Sequence, residues 1–206
     1  MNWKYHNVHT MPTLSRACYG IQHMYNFSNI ETIKKDLLCI LLILKYGIVL
    51  SGNSTDIKRV TQLQKKSMRT MVGVNSRSSY RPINKALKIL IISAQYTLSL
   101  MTTLAHDFEY FTFNNLIHSI CTRRLLQLHK PVKNLALYQT GVHYESIKIT
   151  NILPKRIADL VEDKKQSVQS LRSILIEQSF NSIDEFLDYC VTQCTGCVMK
   201  NSSLCM

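Results

Sequence analysis

The thiols near the C-terminal end come closest to a chemical motif. Cys190, Cys194 and Cys197 have a Cys-x3-Cys-x2-Cys spacing, and Cys205 supplies a fourth sulfur. Four thiolates can hold a zinc ion tetrahedrally. The gap of seven residues before Cys205 is not that of a zinc knuckle, however, and no histidine lies in the tail. The expectation is therefore no metal, and a segment from 190 to 206 without regular structure. His118 stands near Cys121 and His129 beside Pro131, yet nothing places a carboxylate to orient either imidazole against a thiol, as nucleophilic catalysis requires. Adjacent acids occur only at Glu162-Asp163 and Asp184-Glu185, with no Asp-Asp pair of the kind that holds two divalent metals for nucleotidyl transfer. No polymerase, nuclease or hydrolase chemistry, and no cofactor, is expected of the chain by itself.

The cations are the second candidate. The formal net charge is +12, and it is lopsided: residues 1–158 carry 21 Lys and Arg against 6 Asp and Glu, residues 159–206 carry 4 against 7. A basic body of this kind points first to a polyanion such as nucleic acid. The densest stretch, Thr55 to Lys88, holds nine cations and one acid. Within it Lys58, Lys65 and Arg69 share one face at helical spacing, with Arg59 and Lys66 beside them and Arg77 and Arg81 in the loop that follows. Arg123, Arg124, His129, Lys130 and Lys133 form a second basic cluster around Pro131. Tyr110, Phe111 and Phe113 could stack bases, but their irregular spacing favours a core role.

Helices are expected to position these residues. Hydrophobic residues make up 46% of the 206 and charged residues 18%, with only 6 Gly and 4 Pro; such a chain folds, and few turn formers favour a small, mainly α assembly. Ser28 to Glu31 has capping-box spacing for a helix running to about Leu50, and its apolar stretch from Leu37 reads as a core helix, since about 20 residues are needed to span a membrane. Gly52-Asn53-Ser54 breaks it. Ile57, Val60, Leu63, Met68 and Met71 predict a helix over 55–72 with Gly73 as its C-terminal cap. Pro82 opens a short helix. Ile91, Ala94, Leu98, Met101 and Ala105 predict a helix over 89–105, residues 141–153 a helix stopped by Pro154, Val168, Leu171, Leu175 and Gln178 another, and Ser182 to Glu185 a capping box for a short last one. The polar opening from Met1 to Thr10 is not a secretory signal, so an intracellular location, cytoplasmic or nuclear, is expected.

Taken in order, several segments resemble the C-terminal part of reverse transcriptases of jockey-like non-LTR retrotransposons. Asn2-Trp3-Lys4-Tyr5-His6 is similar to the end of the family's Leu-x-Trp-Lys-x-His segment, and Leu14 to Tyr19 to its next block. Tyr46-Gly47-Ile48 with Gly52-Asn53-Ser54 resembles its Tyr-Gly-Ile-x-x-Trp-Gly-Asn-Ser, and Leu63-Gln64-Lys65-Lys66-Ser67-Met68-Arg69 its Leu-Gln-Lys-Lys-Ala-Ile-Arg helix. Ser76-Arg77 with Arg81-Pro82, Thr122-Arg123-Arg124, Tyr138 to Val142 and Asn151-Ile152-Leu153-Pro154 continue the pattern, so that the match extends from about Asn2 to Tyr189. Ser51 departs from it, standing where the family has tryptophan.

The resemblance implies a segment that follows the palm: an N-terminal helical part over 1–54, a basic thumb-like and post-thumb region over 55–160, C-terminal helices over 161–189 and the Cys-rich tail. It implies a catalytically incomplete polymerase piece that binds template-primer, an RNA or DNA duplex, through Lys58, Arg59, Lys65, Lys66, Arg69, Arg77 and Arg81, with Arg123 and Arg124 in support. No membrane partner is expected. The alternative is a helical remnant that is non-functional or has a structural or protein-interaction role, with none in nucleic-acid binding.

Overall fold

The fold is seen in a computed structural model, which describes residues 4–24, 27, 29, 31, 32, 35, 42, 45–54, 56–117, 127–153 and 164–200, and of 4–10, 137, 164, 165, 167 and 193–200 only the backbone. The protein is mainly α-helical. Among the described residues there is no strand, only an isolated antiparallel bridge between Phe113 and Leu128. The chain forms two compact units, one of residues 1–96 with 174–181, the other of 97–173 with 182–206.

The first unit begins with α1, Lys4–Met24, which contains Pro12. Leu14, Cys18 and Ile21 recur at i, i+4 and i+7 and are buried, so one stripe faces inward. That stripe packs on α3, Ile57–Val72, which buries Val60, Ser67, Met68 and Met71. The Cys18 thiol and the Ser67 hydroxyl are 2.7 Å apart at the contact. Between the two lies α2, Ile48–Ser51, preceded by Gly47 at φ 70 and ended by Gly52. The left-handed Gly47 interrupts the helix expected to continue to Leu50. Of the described residues in that apolar stretch, Leu42 is 64% exposed, Leu50 51% and Ile48 1%, so among these Ile48 is the one that serves a core. Ser28, Ile30 and most of the stretch from Leu37 lie outside the described residues.

Ser51, at the departure from the family pattern, is buried, and its hydroxyl donates to the Gly47 carbonyl at 3.1 Å. Gly52 beside it meets the Tyr96 ring so closely that a methyl there would overlap it. At the other end of α3, Gly73 adopts φ 70, its N–H donates to Thr70 O and that of Val74 to Arg69 O, the paired bonds of a Schellman cap. Helix α4, Arg81–Leu87, has Pro82 in its first turn as expected. It ends on an equivalent cap at Lys88, which has φ 53 without being glycine.

Helix α5, Ile92–His106, contributes to both units. The predicted stripe of Ala94, Leu98, Met101 and Ala105 is buried, but so are Ser93, Tyr96, Thr97 and Leu100. The buried arc is thus wider than the predicted stripe, while Gln95, Ser99, Thr102, Thr103 and His106 share the remaining, less buried side, so the helix turns most of its circumference inward. No single helix among the described residues is long and apolar enough to cross a membrane, and α4 with α5, which pass by length and composition together, are bent by 50°.

The second unit contains a 3-10 turn, Phe108–Tyr110, and the short helices α6, Asn114–Ile117, and α7, Ala136–Gln139. Longer helices follow in α8, Val142–Ile152, in α9, Lys164–Gln178, whose residues from Ile174 on belong to the first unit, and in α10, Ile183–Lys200. Leu104, Leu128 and Ile147 form a core cluster against which Phe108, Phe111 and Phe113 pack. Asn151 holds Leu128 by two bonds of 2.9 Å, accepting from its N–H and donating to its carbonyl. In α10 the Ser182 hydroxyl accepts from the Glu185 N–H at 3.2 Å, half of the anticipated capping box. The helix continues through the Cys-rich segment to Lys200, a correction to the irregular structure expected over 190–206. Cys190 is 1% exposed and the helix contacts α8, and tertiary packing of this kind stabilises a helix in a way that residue spacing does not reveal.

Candidate nucleic-acid interface

The amphipathic sequence of α3 sorts its residues into two arcs. At about 100° per residue its buried positions span roughly 120°, and the cations fill the opposite side, with Lys58, Lys65 and Arg69 within about 40° of one another. Lys58, Arg59 and Lys66 are exposed, as are Arg77 in the following loop and Arg81 at the start of α4. Lys65 and Arg69 are half-buried and hold the fold. The Lys65 ammonium donates to Asn181 Oδ1 at 2.6 Å and lies 4.4 Å from the centroid of the Tyr80 ring. The Arg69 Nε donates to the Ser78 carbonyl at 2.8 Å, fastening the loop to the helix. Arg123 and Arg124, with His118, Cys121 and Pro154, lie outside the described residues.

The segment that carries the family resemblance also contains a buried polar group. Gln64 is 1% exposed, donates Nε2 to Leu90 O and accepts from Ile92 N–H, both at 2.9 Å. Its amide therefore serves the backbone just before α5, which a buried chain cannot leave unpaired. Sequence periodicity missed this because a glutamine beside two lysines reads as solvated.

The remaining candidates separate in the same way. Phe111 stacks on His143 with centroids 4.6 Å apart and Phe113 meets Phe108 edge to face, so both are core residues as anticipated, whereas Tyr110 is exposed. His129 Nδ1 lies 3.3 Å from Asn114 Oδ1 beside the bridge, a packing position. Among the described residues no group of three His, Cys, Asp or Glu could hold a metal ion; Cys205 lies outside them, as do the side chains of Cys194 and Cys197. One feature had no signal in the sequence: Lys130 and Lys133 rest against the rings of Tyr144 and Tyr138, at spacings that follow no helical or strand period.

Fold and surface together define a mainly helical protein that presents cations along one exposed helix face. Comparison with protein-family models, curated proteins and solved structures gives no match.

Proposed function

We propose that the protein is the post-palm part of a jockey-like reverse transcriptase and binds nucleic acid without base specificity and without catalysis of its own. The motifs from Asn2 to Tyr189 support the ancestry. The observation that carries the binding role is the exposure of Lys58, Arg59 and Lys66 on the face of α3 opposite its buried arc. Cations placed on phosphates release counterions, which gives affinity that is indifferent to sequence and steeply dependent on salt. Arg77 and Arg81 extend the surface, while Lys65 and Arg69 set its geometry. The partner is a template-primer duplex, not a membrane, and the location is intracellular, in the cytoplasm or nucleus.

The test is charge reversal. Substituting Glu at Lys58, Arg59 and Lys66 together weakens binding to all duplexes alike and makes the slope of log affinity against log salt shallower by as much as about 2.7, at roughly 0.9 for each phosphate contact. Reversal at Lys164, Lys165 and Arg172 has far less effect. Equal losses from the two sets, or affinity independent of salt, would overturn the reading. A second reading, a helical interaction module with no nucleic-acid role, is favoured by the commitment of Lys65 and Arg69 to internal contacts. The locus discriminates the two: palm motifs encoded just upstream favour the polymerase origin.

A further inference from the structure

The loop that follows the Phe113–Leu128 bridge carries two lysines that meet rings. Nζ of Lys130 lies 4.6 Å from the centroid of the Tyr144 ring, and Nζ of Lys133 lies 5.7 Å from that of Tyr138. The two rings are themselves in contact, edge to face, with centroids 6.3 Å apart and planes at 72°. The Gln139 Nε2 donates to the Lys133 carbonyl at 2.8 Å, which fixes the loop against α7. Both lysines are exposed and Tyr138 is 36% exposed. Glu145, the acid next to Tyr144 in the chain, is buried, and its carboxylate lies 3.6 Å from Lys148.

Tyr138 keeps part of its surface in water, braced edge to face by Tyr144, with Lys133 against its own ring and Lys130 against that of Tyr144. An exposed aromatic face suits any base, since every base has a π-face, and adjacent ammonium groups suit the phosphates on either side of it. In a duplex the bases are stacked on one another, so only an unpaired base can reach such a ring. We propose that Tyr138, backed by Tyr144 and with Lys133 and Lys130 each against one of the two rings, is a stacking platform for an unpaired base of single-stranded nucleic acid. This rests on the nucleic-acid reading above and adds a single-stranded substrate to it.

The experiment uses the full chain with labelled oligouridine, oligothymidine and a hairpin duplex, binding being followed by fluorescence anisotropy. Tyr138→Ala is expected to weaken both single strands by roughly five- to 150-fold while leaving the hairpin unchanged, and Tyr138→Phe, which keeps the ring, to bind as the parent does. Comparable losses for oligouridine and oligothymidine mark a platform common to RNA and DNA, and loss for one alone names the strand it serves. Unchanged single-strand affinity in a folded Tyr138→Ala protein overturns the proposal. So does equal loss for single strand and hairpin. Should that variant fail to fold, the fluorescence of Tyr138→Trp decides, quenching by oligouridine supporting the platform and its absence overturning it. Selective loss in Tyr138→Ala with no effect from reversal at Lys58, Arg59 and Lys66 keeps the platform and removes the duplex-binding face; the opposite pattern does the reverse.

Discussion

Two glycines show how far the meaning of one residue depends on what surrounds it. Gly52 and Gly20 are both helical or helix-terminal, and although Gly52-Asn53-Ser54 reads as a helix break, neither glycine's neighbours in the sequence show what a side chain there would meet. At Gly52 an added methyl would run into the Tyr96 ring, whereas at Gly20, within α1, it would meet nothing. Gly52→Ala is therefore expected to destabilise the protein by about 1–3 kcal/mol, the usual range for overpacking an interior. Gly20→Ala should raise stability by about 0.5–1 kcal/mol, because alanine loses less backbone entropy in a helix. Thermal melts followed by circular dichroism measure both, and a shift of the same sign for the pair would contradict the packing assigned to Gly52. Ser51, next to it, fills the tryptophan position of the resemblance with a small hydroxyl satisfied by Gly47.

Helix boundaries were the most legible elements because their signals are local. Gly73 and Pro82 were recognisable as an end and a start, since a left-handed cap favours glycine and a first turn tolerates proline. Lys88 was not, because lysine carries no such preference, yet it closes α4 with φ 53 and donates to the Lys85 carbonyl. An L-residue in the left-handed region is strained by roughly 1–2 kcal/mol. Lys88→Gly is thus expected to stabilise the protein by about 0.5–1 kcal/mol after the greater flexibility of unfolded glycine offsets part of that relief. Urea denaturation tests it, and a loss of stability would mean that the lysine side chain supports the cap. The last helix is the counterexample. Its start at Ser182 was legible in the capping spacing, but the burial of Cys190 within it was not.

For the molecule as a whole, the decisive event is the return of residues 174–181 to the first unit. The single Tyr80 O–H proton is shared between Asn181 Oδ1 at 2.7 Å and the Ser179 carbonyl at 3.1 Å, and Asn84 Nδ2 donates to the Ser179 hydroxyl at 3.0 Å. Ser179 is itself held at φ 51, so these bonds fix a residue in a conformation it would not choose alone. Removing the hydroxyl in Tyr80→Phe leaves the buried Ser179 carbonyl short of a donor and should lower stability by about 1–3 kcal/mol. Native-state hydrogen exchange would show faster opening of residues near Ser179 as well as a lower global stability. Exchange unaltered at both would show that the segment is held by its apolar neighbours alone.

What the sequence by itself determined is local and periodic: a mainly helical chain, the amphipathic α3 with its basic face, the ends of α3 and α8, and the buried stripe of α5. These follow because backbone hydrogen bonding, capping and the 3.6-residue repeat act over a few positions. Only the tertiary structure decided which cations are exposed and which are internal. Lys65 and Lys66 are neighbours of the same type, but Lys65 meets Tyr80 and Asn181, the latter 116 residues away, while Lys66 faces water. Burial of Gln64, the pairing of Lys130 and Lys133 with tyrosines, and the burial of Cys190 in α10 share that cause. Each depends on partners brought together by chain reversal, and side-chain type and spacing carry no record of such partners.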